Sequence, residues 1–373
     1  MSTSAAARPI RWIVGPGYDQ FFLAASWLVP FALWGVALAL PYGLLVALAI
    51  FVILDNSHQV ATLPLTIFDP GSMQKSGRFY LGGIAVIGST AVALSFFPGS
   101  LATRFWASLV LYWGAYHIIR QHYGFLRLYQ ARDKPVSDRL ARAEAVALYS
   151  GAAFPYLMNL SHGWAAHGIG ELLVRIPFPV WSAWLVLAIF VASMGFVLAD
   201  VATRMAKGED ALSLRLLHLV LAVSNFWFAL LLVGREDLIL ATLFITSYHD
   251  VQYHAIVWLV GHNRAANEAA PVVPAVRRMF ASRTAFAAAI VLGALLQAFL
   301  RNDFQFASSL LPDAGAVNAA VFALFTSYSY MHYFIDGRMW KMGEDPRLRV
   351  ELGLVAAPVA AVPRRPTRAS RRR

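Results

Sequence analysis

The sequence predicts an all-α fold, a polytopic membrane bundle of about ten transmembrane helices with both termini in the cytoplasm. Three observations lead there. Of 373 residues, 59% are hydrophobic and 14% charged, against roughly a quarter charged in an average soluble domain. Apolar runs of about 18–25 residues recur along almost the whole chain, long enough to cross a roughly 30 Å hydrocarbon core as helix and too long for barrel strands. The basic residues then alternate between sides. With the N-terminus, alternate loops and the C-terminus on one side, that side holds 26 of the 31 Lys and Arg. The other side holds Arg104, Arg175, Arg235 and Arg301, and Arg120 falls inside a span. The positive-inside rule makes the rich side cytoplasmic.

The runs lie at about 21–40, 43–60, 79–97, 102–127, 142–161, 178–201, 214–234, 236–261, 283–301 and 315–338. Turn signals close several of them: "LPYG" (Leu40–Gly43), "FPGS" (Phe97–Ser100), "IPFP" (Ile176–Pro179) and "LPDAG" (Leu311–Gly315). Residues 1–345 read as a single integral-membrane helical domain, multi-pass in the inner (cytoplasmic) membrane, and 346–373 as a basic, disordered cytoplasmic tail. No compact apolar h-region precedes the first run, so no signal peptide is expected.

The net charge of +11 is concentrated in that tail, "RRPTRASRRR" (Arg364–Arg373), which suits anionic lipid head groups. No recognition fold accompanies the charge, so nucleic acid is not an expected partner. Cysteine is absent, which excludes disulfides, thiolate ligands, iron–sulfur clusters and cysteine nucleophiles.

The ten histidines carry the chemistry. The second, fourth, eighth and tenth runs all head toward the cytoplasm, and they place His58, His117, His122, His249, His254 and His332 in one layer of the inner leaflet. Ionisable groups inside spans are costly and face the bundle interior. Imidazole is the commonest metal ligand and suits iron, copper and zinc. Six imidazoles from four helices at one depth therefore point to a metal site; the alternative is interhelical hydrogen bonding. The stretches "GAYHIIRQHYGFL" (Gly114–Leu126) and "TSYHDVQYHAIVW" (Thr246–Trp258) each space two histidines five apart. On a regular helix five residues leave the partners about 140° apart. Either one member of each pair faces the metal, or a π-bulge brings both onto it.

Asp336 follows His332 by four, Asp250 precedes His254 by four, and Asp55 precedes His58 by three, so each carboxylate can orient an imidazole. Asp336 could instead pair with Arg338 or Lys341. Arg120 and Gln121 sit between His117 and His122; Arg120 could balance Asp250 or reach for the interface. Tyr116, Tyr123, Tyr248, Tyr253, Tyr328, Tyr330 and Tyr333 crowd the same layer, as packing or as the lining of an apolar slot. His162, His167, His218 and His262 have no assigned role. GxSxG, P-loop and HExxH patterns are missing.

This layout resembles the integral-membrane histidine-ligated non-haem iron oxygenases, although the HxxxH and HxxHH boxes of desaturases are missing. It is more similar to the Brp/Blh-type β-carotene-cleaving membrane dioxygenases, through His58, His117, the pair in "SYHDVQYHAIVW" and the late "YMHYFIDGRMW" (Tyr330–Trp340). The resemblance implies one iron held by His58, His117, His249 and His254. "SHQ" stands where that family has "PHG", and His122 is additional.

The expected function is a membrane oxidoreductase that uses dioxygen at a His-ligated iron centre of one or two ions to oxidise a lipophilic small molecule. Copper and zinc also fit the donors, and an electron donor is a further expected partner. The alternatives are a transporter or channel with a His/Asp proton or metal-ion pathway, and a haem-binding electron-transfer protein.

Overall fold

The computed structural model describes residues 12–97, 100–133, 136–163, 174, 176–209, 213–233, 238–301 and 316–355. These form helices and connecting turns with no strand among them. The long helices are α1 (Pro16–Ala39), α2 (Gly43–Ala61), α3 (Pro70–Ser95), α4 (Leu101–Arg132), α5 (Asp138–His162), α6 (Val180–Ala206), α7 (Leu214–Val233), α8 (Leu238–Ala266), α10 (Arg283–Arg301) and α11 (Ala316–Met339). Two short helices, α9 (Pro274–Met279) and α12 (Pro346–Glu351), lie between and after them. Each long helix occupies one of the apolar runs.

Five of them, α1, α2, α3, α6 and α7, are long and apolar enough to cross a membrane. The helices that carry the histidines in pairs, α4 and α8, fall outside that group because the polar residues of the site dilute them. The apolar surface identifies the solvent. On α6 only Ala183 and Val197 are buried, while Trp181, Leu185, Val191 and Leu198 are each more than half exposed. An apolar face that size is stable only against lipid or another protein, and with five such helices the chain is a membrane protein.

Local chemistry sets the helix ends. Asp69, Ser100, Ser137, Ser213 and Asp345 cap α3, α4, α5, α7 and α12 by accepting a backbone N–H two or three residues on. Pro70 and Pro346 occupy first-turn positions, where the missing N–H costs nothing. Gly163 ends α5 in the left-handed region, at φ 65°. Gly83 lets α3 approach α11, since a Cβ there would run into the Phe334 ring.

Two helices depart from α geometry, and neither does so at the paired histidines. α1 passes through a π turn at Asp19–Ala24 and a 3₁₀ turn at Ala25–Leu28. The changed hydrogen-bond register frees the Leu23 carbonyl, which accepts from Tyr248 (3.2 Å) and Gln252 (2.8 Å) of α8. The second π turn, Phe228–Val233, ends α7. α4 and α8 remain α-helical through His117–His122 and His249–His254, so each pair splays.

The residues expected to begin the tail are helical: α12 is fixed to the body by buried ion pairs. Arg264 of α8 grips Glu351 with two bonds of 2.8 Å and reaches Asp69 at 3.3 Å. Arg347 bridges the same two carboxylates, at 2.8 Å to Glu351 and 3.2 Å to Asp69. Residues 346–351 are therefore part of the folded body, not of a disordered segment beginning at residue 346. Residues 356–373, including the arginine-rich stretch, lie outside the described residues.

Candidate metal centre

α2, α4, α8 and α11 bring four imidazoles together: His58, His117, His249 and His332, exposed by only 2, 6, 3 and 2%. His58 lies 4.6 Å from His249 and 4.4 Å from His332, ring centre to ring centre. His117 lies 5.4 Å from His249, 5.0 Å from His332 and 6.1 Å from His58. Each of these separations is one that two imidazoles on a common ion can have. Imidazoles bound to one ion at about 2.1 Å place their ring centres about 4.5–5.2 Å apart at right to tetrahedral angles, and farther apart at wider angles. The rings meet at 53–81° and are not stacked.

Two sets of donor atoms lie within 4.8 Å of one another: His58, His117 and His249, and His117, His332 and Asp336. His117 belongs to both. The second set combines two imidazoles and a carboxylate, with Asp336 Oδ2 4.0 Å from His117 Nε2 and 3.9 Å from His332 Nε2. His58 Nδ1, His117 Nε2 and His332 Nε2 are buried and make no hydrogen bond. A buried polar group without a partner costs about 1–3 kcal/mol. A cation beside Asp336 would satisfy His117 Nε2 and His332 Nε2, whereas His58 Nδ1 faces the Asp250 carboxylate at 3.7 Å; the His117, His332 and Asp336 donors therefore fit a metal.

A chain of hydrogen bonds orders the protons. Asp336 accepts from Gln121 Nε2 (3.1 Å) and from the Tyr253 hydroxyl (2.7 Å). With an ionised Asp336, the one Tyr253 proton is committed there, so Tyr253 accepts from Thr62 Oγ1 at 2.8 Å. Thr62 has then spent its proton and accepts from His332 Nδ1 at 2.7 Å. His332 is left protonated at Nδ1 with its Nε2 lone pair facing Asp336 and His117, the tautomer a ligand needs.

The same logic places His254 apart. Ser57 donates to the Leu54 carbonyl at 2.9 Å, so its hydroxyl oxygen accepts from His254 Nε2 at 2.9 Å. His122 packs against Tyr248 (5.3 Å) and His218 (5.4 Å), and its ring lies 6.4 Å from His249. Neither donor set includes His122 or His254. The late histidine of α11 takes the place beside His58, His117 and His249 that the resemblance implies for His254.

The carboxylates sort similarly. Asp250 stands 3.7 Å from His58 Nδ1 across the α2–α8 contact. Asp55 accepts from Gln59 at 2.8 Å. Arg120 lines the neighbouring cavity, bonded to the Tyr149 hydroxyl (3.4 Å) and over the Tyr123 ring (5.1 Å). His162 bonds the Met158 carbonyl, His218 the His122 carbonyl and His262 the Phe280 carbonyl. His167 lies outside the described residues. Thr62 and Ser57 were missed by the sequence reading, although Thr62 follows His58 by four and so shares its face.

An aromatic-lined cavity of about 800 Å³ borders the centre. His117, Asp336 and Tyr253 form its inner wall, and Trp113, Tyr333 and Phe334 line its sides.

These hydrogen bonds lead to a test. Thr62→Val keeps the shape and removes the bond that fixes His332, so metal affinity should fall about 10–100-fold. His254→Ala should leave it unchanged. Metal retained against chelators of graded strength reads both; loss in His254→Ala with retention in Thr62→Val would reverse the assignment.

No protein-family model matches the chain, and no curated protein or solved structure is significantly similar to it. What stands is a helical membrane protein with a buried His/Asp group that could hold a metal ion.

Proposed function

We propose that the chain is a membrane oxidoreductase that oxidises a lipophilic molecule with dioxygen at a non-haem iron centre held by His58, His117, His249 and His332, with Asp336. The observation that carries this reading is the convergence of four imidazoles and one carboxylate, in two groups that share His117, beside an aromatic cavity whose wall includes His117 and Asp336. Mixed imidazole and carboxylate donors with positions left open are the set that non-haem iron oxygenases use. Iron bound there would supply dioxygen activation.

The protein's own groups do the remainder. Thr62 and Tyr253 hold His332 in its ligating tautomer, and Gln121 and Tyr253 hold Asp336 in place. Trp113, Tyr333 and Phe334 offer apolar surface to a substrate and keep bulk water from the donors. Phe79 and Tyr116, 45 and 55% exposed, mark where the cavity meets the lipid. The alternation of basic residues supports ten crossings with both termini in the cytoplasm, in an inner membrane, and puts the centre in the cytoplasmic leaflet. The Brp/Blh-type resemblance supports the same chemistry.

Protein purified in detergent from iron-replete cells is expected to carry stoichiometric iron. With a chemical reductant and the polar-lipid extract of its own membrane it should consume dioxygen. Metal-free protein that conducts protons in liposomes would favour a transport pathway and defeat the proposal.

A further inference from the structure

A second depression, about 670 Å³, opens beside the aromatic cavity at the inner ends of α3 and α11. The two adjoin across Phe79, Gly337 and Lys341. Their balance of chemistry differs. The inner cavity is aromatic around His117 and Asp336, with Arg120 and Arg127 also on its lining, whereas the outer depression is dominated by Lys75, Arg78, Arg338 and Lys341.

Those four cations are incompletely balanced. Lys75 pairs with Asp345 (3.5 Å), and Arg338 and Lys341 share Glu344 (2.7 and 3.2 Å). The Lys341 ammonium bonded to Glu344 holds that carboxyl below the ordinary carboxylate range, so Glu344 stays charged at neutral pH. Arg78 is exposed and makes no ion pair among the described residues. Two carboxylates against four cations leave the depression electropositive.

Depth relates the two chemistries. Arg338 follows His332 by six residues on α11, which puts the charged mouth about 9 Å along the helix from the centre. Phe79 stacks on Phe334 at 4.2 Å and 12° where the two adjoin, a flat apolar gate suited to a hydrocarbon chain. The cavity volume is in the usual range for one small ligand, roughly 300–1,000 Å³.

We propose that the two cavities together bind a single-chain amphiphile with an anionic head, a carboxylate or a phosphate monoester. The head is held by Arg78 and Lys341 at the mouth, and the chain passes Phe79 so that a carbon several methylenes from the head lies beside His117 and Asp336. The inference rests on the proposed function for what happens to that carbon, but the binding itself does not require a metal. It sets the substrate class apart from a wholly apolar hydrocarbon such as a carotene.

Trp113 and Trp340 line the cavity, and bromine quenches indole fluorescence on contact. Purified protein in a neutral maltoside detergent is titrated with 9,10-dibromostearate, with 9,10-dibromostearyl phosphate and with the uncharged 9,10-dibromostearyl alcohol. Saturable quenching by an anion, at half-saturating concentrations at least roughly tenfold below the alcohol's, is expected, because a charge-assisted contact is lost with the alcohol. The stronger of the two anions identifies the head. Arg78→Gln with Lys341→Gln should raise the half-saturating concentration of that anion roughly tenfold and leave the alcohol's unchanged. Equal quenching by anion and alcohol, or an anion response indifferent to the double substitution, overturns the proposal. Iron content measured on the same samples separates the two ideas: saturable anion quenching on iron-free protein would remove the oxidoreductase reading and keep this one.

Discussion

On the proposed assignment, replacing His117 by alanine should abolish iron binding. His117 is the only residue in both donor sets, and its Nε2 lies within 4.0 Å of the Asp336 carboxylate. Losing an orienting partner of a ligand typically costs 10–100-fold in affinity, so losing the shared ligand should exceed about 100-fold. Purified His117→Ala protein is therefore expected to hold less than about a tenth of the wild-type iron. The helix should survive, because His117→Ala exchanges a residue for a better helix former. Neighbouring Tyr333, packed 4.5 Å from the His117 ring, would lose one wall of its slot. Retention of full iron in a folded His117→Ala protein would mean that the four rings do not form one centre.

The second large effect concerns stability. Arg264→Ala should destabilise the protein by about 1.5–3 kcal/mol, because the buried carboxylates of Glu351 and Asp69 lose one of their two arginine partners and keep only the partly exposed Arg347. Arg264 and Glu351 are each about 6% exposed, so little solvent screens them. Paired apolar replacement, Arg264→Met with Glu351→Leu, should be much milder, since no charge is left buried alone and Arg347 still covers Asp69 at 3.2 Å. Thermal unfolding in detergent measures all three proteins. Because this contact ties α12 to α8, the single variant should also make the chain near residue 351 more accessible to protease before global unfolding. A single variant as stable as wild type would show that the network is surface decoration.

The fold was legible where apolarity alone decides it. Every run of lipid-compatible length became a helix, and capping residues such as Ser100 and Ser213 stand at the ends where their hydroxyls accept the first free N–H groups. The grouping of His58, His117, His249 and His332 was legible because each lies toward the same end of its apolar run in chain order, and α2, α4, α8 and α11 bring them together. Spacing also told that His117 and His122 diverge on an unbroken helix, and α4 is unbroken.

What sequence could not give is pairing at long range. Asp69, Arg264, Arg347 and Glu351 are separated by up to 278 positions in the bonds they make, and nothing local marks them as partners. The π turn at Asp19–Ala24 has a physical origin that only contacts reveal. Asp19 is buried and accepts the N–H groups of Ile13 (2.6 Å) and Val14 (3.0 Å), and the irregular turn releases the Leu23 carbonyl to α8. Sequence spacing assigned Asp55 to His58 and Asp250 to His254. Helix packing changed the partner, because α8 crosses α2 with Asp250 facing the His58 imidazole. The choice between His254 and His332 turned on a serine: Ser57 engages one ring while Thr62 orients the other.

The most direct test of the central claim is the iron K-edge absorption spectrum of the purified protein. The geometry predicts a nitrogen and oxygen shell at about 2.1 Å with the outer-shell scattering of three or four imidazoles, lost in His117→Ala and preserved in His254→Ala. A spectrum with no imidazole scattering, or one that the His117 substitution leaves untouched, would contradict it.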